Sequence, residues 1–211
     1  MRFDDARATH VIAVLTFTAS ALILMLGWDN QAALGGGFIP ARAGGAIMPP
    51  DFGPVAPTWL TPLTATLIHG NFIHLLFNGV MLVYCGRESE RALGPTNIGI
   101  LYLVGAYVAA LGQWLQDPMS TAPMIGASGA ISAIVAAYAL LYGRSRTRAI
   151  GPVPAALVHA LWLAAAWTVI NLLIDFATSG GARVAIGAHI GGFLAGLVLT
   201  RPLLLWRYRR A

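Results

Sequence analysis

Lysine is missing from the chain altogether, and Asp, Glu and Arg together make up only 10% of it. Nucleic-acid binding needs basic residues gathered on one soluble face. The 13 basic residues here, all arginine, are instead scattered through short intervals between apolar runs. Cys85 is the one cysteine, so no intrachain disulfide can form, and no cluster with metal-ligand spacing exists. All eight acids lie at the ends of apolar runs or in connections. That argues against a transporter or proton channel, which carries carboxylates within its spans. What the chain does have is apolar length: 57% of its 211 residues are hydrophobic. Lipid offers backbone groups no partner, so such runs imply an integral membrane protein of helical type.

Six runs are long enough to be spans: 8–28, 71–86, 97–115, 124–142, 155–176 and 184–206. The first follows Arg2 and Arg7, as a signal peptide would. Asp4 and Asp5 in that basic region and the lack of a cleavage site argue for a span. The connection 29–61 is the longest and is rich in Gly and Pro. Its Phe38, Ile39, Ile47, Met48, Phe52 and Trp59 suggest a position at the membrane interface. No internal repeat or second domain is visible, so 1–211 is read as one domain. Six spans put both termini on one side, which holds eleven arginines against Arg42 and Arg183 on the other. By the positive-inside bias the termini are cytoplasmic.

Polar residues within spans are few, and each is a candidate for function. His74 and Asn78 are four apart and share a face of the second span. Ser128 lies in the fourth, in Pro123-Met-Ile-Gly126-Ala-Ser128-Gly129-Ala-Ile-Ser132, and His189 lies in the sixth. These three spans all enter from the non-cytoplasmic face, so the four residues share a depth of roughly 10 Å or less. With the helix starting near Met124, Ser128 falls about 7 Å below its start. Gly126, Gly129 and Gly192 leave room for close packing or for a substrate at the hydroxyl. The chemistry that fits is acyl transfer: Ser128 as nucleophile, His189 as general base, His74 and Asn78 as oxyanion donors beside the Ser128 N–H. No acid is placed to complete a triad, since Asp175 ends the fifth span as a loop-side charge. His10 and His159 read as interhelical hydrogen-bond partners, and His69 as a tie between the first loop and the second span. Ser132 reads as packing, and Trp28, Trp59, Trp114, Trp162, Trp167 and Trp206 as interface or lipid-facing anchors.

Four pieces in order, His69-Gly70-x-x-x-His74-Leu-Leu-Phe-Asn78, Glu90 before Leu93-Gly94, Gly126-Ala-Ser128-Gly129 and Ala188-His189-x-Gly191-Gly192, resemble the rhomboid intramembrane serine proteases. The resemblance covers about 59–196, and Gly37-Phe-Ile-Pro-Ala-Arg42 resembles bacterial members in particular. It implies an all-α, six-transmembrane-helix bundle open to water on its outer side, in a bacterial inner membrane. It also implies a Ser128–His189 dyad, with His74 and Asn78 at the oxyanion, that cleaves transmembrane protein substrates in lipid without metal or cofactor. Two positions depart from the family pattern. Trp59 is followed by Leu60 rather than arginine, and Ser132 stands where many members carry an aromatic that stacks on the catalytic histidine. A rhomboid-fold protein that binds membrane clients without cutting them is the alternative. Such members typically lack the serine or the histidine, and this chain keeps both.

Overall fold

A computed structural model describes residues 6–46, 54–143, 147–179 and 185–209. Among these, six helices have 15 residues or more: α1 (Arg7–Met25), α2 (Phe72–Leu93), α3 (Pro95–Gln116), α4 (Ser128–Tyr142), α5 (Ala155–Ser179) and α6 (Ile186–Tyr208). In α1 the buried residues are Thr9, Thr16 and Ser20, while Val11, Val14, Leu15, Phe17 and Leu22 are exposed. Apolar residues outward and small polar ones inward is the pattern of a helix dissolved in lipid, where close packing rather than water exclusion joins helices. The chain is an integral membrane protein.

The serine helix is the centre of the bundle, with eleven of its fifteen residues buried. It packs against α2, α3 and α6, and α6 lies most closely on α3 and α4. Small residues set those distances. A Cβ at Gly192 would overlap the Gly129 carbonyl oxygen, and one at Gly196 the Ala133 carbonyl oxygen. The α6 backbone therefore rides directly on the serine helix.

Helix boundaries differ from the sequence reading most around Gly94 and Ser128. The second helix does not end near 86 but continues through Leu93, where Gly94, at φ +85°, breaks it and Pro95 starts the next. The interval 86–94 is thus mostly helical, and Glu90 is buried in it. Glu90 accepts from the Ala8 N–H (3.0 Å), the Thr9 N–H (2.8 Å) and the Thr9 hydroxyl (2.7 Å), capping the start of α1. The serine helix begins at Ser128 rather than Met124, because Gly126 has φ +104° and Met124 pairs with Phe38 in an extended bridge. At 15 residues it is only about 22 Å long, short of the roughly 30 Å hydrocarbon layer. By length and composition α1, α3 and α6 can each cross a membrane. The segment Thr58–Leu67 and α2 are long and apolar enough together for a fourth if they count as one span, and they meet at a bend of 92°.

The connection 29–61 is partly helical (Asp29–Gly36, Pro40–Ala43 and Thr58–Leu60). Phe38 and Ile39 are buried within the protein. They lie under a two-way backbone pairing of Phe38 with Met124 (3.0 and 2.8 Å) and beside an Ala41 N–H donated to Ser120 (3.0 Å). Trp59 is exposed, and Ile47, Met48 and Phe52 lie outside the described residues. Where the Trp-Arg anchor is missing, Arg42 donates to the Ala56 carbonyl (2.9 Å) and the Tyr107 hydroxyl to that of Trp59 (3.0 Å).

Candidate active site

Ser128 is the first residue of α4, so its N–H and the next two have no acceptor within the helix. Its hydroxyl lies 2.9 Å from His189 Nε2, and both side chains are buried. His189 is the fourth residue of α6, one turn in; its neighbours Ala188 and Gly192 let that turn approach α4, and Gly191 lets it approach α3. With the hydroxyl donating to Nε2, the imidazole carries its own proton on Nδ1. That nitrogen is buried with no hydrogen-bond partner among the described residues. No described carboxylate therefore orients the imidazole. The Asp175 side chain lies outside the described part of α5.

The extended approach to Ser128 is held from three sides. Phe38 pairs with Met124, the Gly126 N–H donates to the Ala65 carbonyl (2.9 Å), and the Ala127 N–H points at His69 Nε2 (3.4 Å). His69 was expected to tie the first loop to the second span; it instead links α1 to the serine segment. The single proton of the Ser20 hydroxyl goes to the Leu67 carbonyl (2.7 Å), so His69 Nδ1–H must be the donor to Ser20 (2.8 Å). Nε2 is then left as the acceptor facing Ala127. Gly126 is required twice over: its φ is one that side chains avoid, and a Cβ would come within 2.8 Å of His74 Cε1. Packing His74 against Gly126 brings it beside the serine segment.

On α2, Asn71 caps the helix by accepting from the His74 N–H (2.8 Å), which fixes the turn carrying His74. Asn78 lies one turn deeper and is buried. One of its amide hydrogens goes to the His74 carbonyl (2.9 Å), leaving the second for another acceptor. A cavity of about 830 Å³ between α1 and α2 reaches Asn78, Ala127 and Ile131. The four sequence candidates thus sit near the N-terminal ends of α2, α4 and α6.

Two residues have more to do than the sequence suggested. The Ser132 hydroxyl donates to the Ser128 carbonyl (2.7 Å) and accepts from Trp167 Nε1–H (2.7 Å). Trp167 is buried rather than an interface anchor, stacked on Phe77 (5.6 Å between centroids) and 6.5 Å from the His189 ring. Its place in the sequence held the signal. Trp167 falls twelve residues into α5, about 18 Å from its start, too deep for an anchor at a membrane interface.

Known proteins give the arrangement its context. The chain is 32% identical over 138 residues to RHOMBOID-like protein 5 of Arabidopsis thaliana, covering 65% of this chain and 42% of that one. It is 31% identical over 151 residues to RHOMBOID-like protein 4 of the same plant, covering 68% and 34%. It is 28% identical over 147 residues to rhomboid protease GlpG of Photorhabdus laumondii, covering 70% and 47%. The matched part thus spans less than half of each relative. The family model described as "Rhomboid domain" matches residues 56–206, a stretch that contains α2 to α5, nearly all of α6 and all four candidate residues, and the chain belongs to the rhomboid family.

Proposed function

We propose that this protein is an intramembrane serine endopeptidase that cuts transmembrane proteins near the outer membrane face. The observation that carries the reading is the 2.9 Å contact between Ser128 Oγ and His189 Nε2 in a buried site. In the proposed reaction His189 takes the serine proton as Oγ attacks the scissile carbonyl. The carbonyl oxygen gains negative charge where the Ser128 N–H, the free Asn78 amide hydrogen and the His74 ring can donate to it. His189 then gives its proton to the leaving amine. A water activated by the same histidine hydrolyses the acyl-enzyme and restores Ser128. No metal or cofactor enters these steps.

Residues 1–211 form one protease domain of six spans in this reading, with both termini cytoplasmic in a bacterial inner membrane. The arginine distribution supports that orientation. The test is cleavage of a transmembrane substrate by the purified protein in vesicles. Ser128→Ala and His189→Ala should each abolish it, and the double variant should be no worse than either, because the two act as a unit. Substantial turnover by folded Ser128→Ala contradicts the proposal. Folded, unimpaired client binding with no cleavage by the wild type favours the non-proteolytic alternative.

A further inference from the structure

A base that must take a proton from Ser128 needs its ring held in one orientation. The Nε2 contact to Ser128 cannot supply this alone, because the contact is the one that changes during the reaction. A second hydrogen bond, at Nδ1, is what commonly fixes a catalytic imidazole, and here Nδ1 has no partner among the described residues. Among the described residues, what is left to orient the ring is packing. Gly192, one turn along with its Cα bare against α4, offers no side chain to do it. Among the described residues, the aromatic ring beside His189 is Trp167, at 6.5 Å between centroids and 57° between planes, within the range of favourable tilted ring pairs.

Trp167 is itself fixed from two other directions. Its indole N–H is bound by Ser132 at 2.7 Å, which sets the rotation of the ring. Phe77, between His74 and Asn78 in sequence, stacks on it at 5.6 Å and 18°. Ser132 is held in turn by its bond to the Ser128 carbonyl. The indole is therefore clamped to the nucleophile's own helix while facing the base.

We propose that Trp167 is a positioning residue for His189, with Ser132 as the hydroxyl that steers the indole. In this chain α5 thus supplies the ring that a residue at position 132, occupied by serine, does not. The proposal rests on the Ser128–His189 reading of the site.

The experiment measures the rate at which a fluorophosphonate labels Ser128 in the purified full chain, together with kcat and KM for a transmembrane substrate. Trp167→Ala should slow labelling by about tenfold to 100-fold, as small misplacements of a catalytic group do. The loss should fall on kcat with KM nearly unchanged. Trp167→Phe, which keeps a ring, and Ser132→Ala, which frees the indole, should each lose only a few-fold. Adding Ser132→Phe to Trp167→Ala puts a ring back from α4 and should recover part of the rate. A tryptophan that merely holds α5 in place predicts no such recovery. Labelling by folded Trp167→Ala at the wild-type rate or faster overturns the proposal. If Trp167→Ala does not unfold cooperatively, Trp167→Phe and Ser132→Ala decide it, and wild-type rates in both overturn it. A folded wild type that labels nowhere instead removes the Ser128–His189 reading, and this proposal with it.

Discussion

Asn78 is a buried residue of the site with side-chain donor capacity left over. One amide hydrogen satisfies the His74 carbonyl within the helix, and the second has no fixed acceptor in the turn that carries it. If that hydrogen meets the oxyanion, its contribution exists in the transition state and not with the resting carbonyl. Removing one such donor costs about 2.7–4 kcal/mol, a factor of 10²–10³ in turnover. Asn78→Ala should therefore lower kcat by about that factor and leave KM close to the wild type. A change in KM alone would make Asn78 a binding residue. His74 is half-buried and stands over Gly126, so its role depends on a glycine that a search for nucleophiles and bases would pass over.

At the scale of elements, the two ends of α2 do different work. Its N-terminal end carries His74 and Asn78; its C-terminal end carries Glu90, about 24 Å from His74 along the helix. Glu90→Ala would leave two backbone donors and one hydroxyl of α1 unpaired, at about 1–3 kcal/mol for each that stays buried. The thermal midpoint in detergent should fall clearly, while the folded fraction should still label at Ser128 at the wild-type rate. A loss of labelling with the midpoint unchanged would contradict that division. The same region shows where sequence reading succeeds and fails. Residues at fixed spacing on one helix, such as His74 and Asn78, were legible because the helical repeat alone sets their relation. So were the small residues of α6, since only a backbone needing close approach uses so many. Helix ends were not. Gly126 ends the extended approach to Ser128 through a positive φ, and nothing in an apolar run announces that. Glu90 was equally hidden, because its partners, Ala8 and Thr9, lie eighty residues earlier in the chain. The depth of Trp167 in its run was legible, but its partner was not: the contact with Ser132 spans 35 residues and depends on how α5 docks.

At the scale of the whole molecule, a short serine helix at the centre of a bundle holds, in the proposed reading, the reactive hydroxyl below the membrane surface. A substrate helix shields its own peptide bonds, so it must unwind before Ser128 can reach one, and unpaired backbone groups in lipid cost several kcal/mol each. Residues that weaken a helix reduce that cost, about 1 kcal/mol for Gly and about 3 for Pro relative to Ala. Good substrates should therefore carry Gly, Pro or similar residues just inside the outer boundary, with their N-terminus outside. A substrate series with those positions changed to Leu at constant overall hydrophobicity should be cut progressively more slowly. Rates that stay flat across the series would show that unwinding is not limiting. The central claim, that Ser128 is a nucleophile activated by His189, is tested most directly by the site of covalent labelling. Purified protein treated with a fluorophosphonate and digested should yield one adduct, on Ser128, which is lost in His189→Ala. An adduct elsewhere, or undiminished labelling of Ser128 in folded His189→Ala, would contradict it.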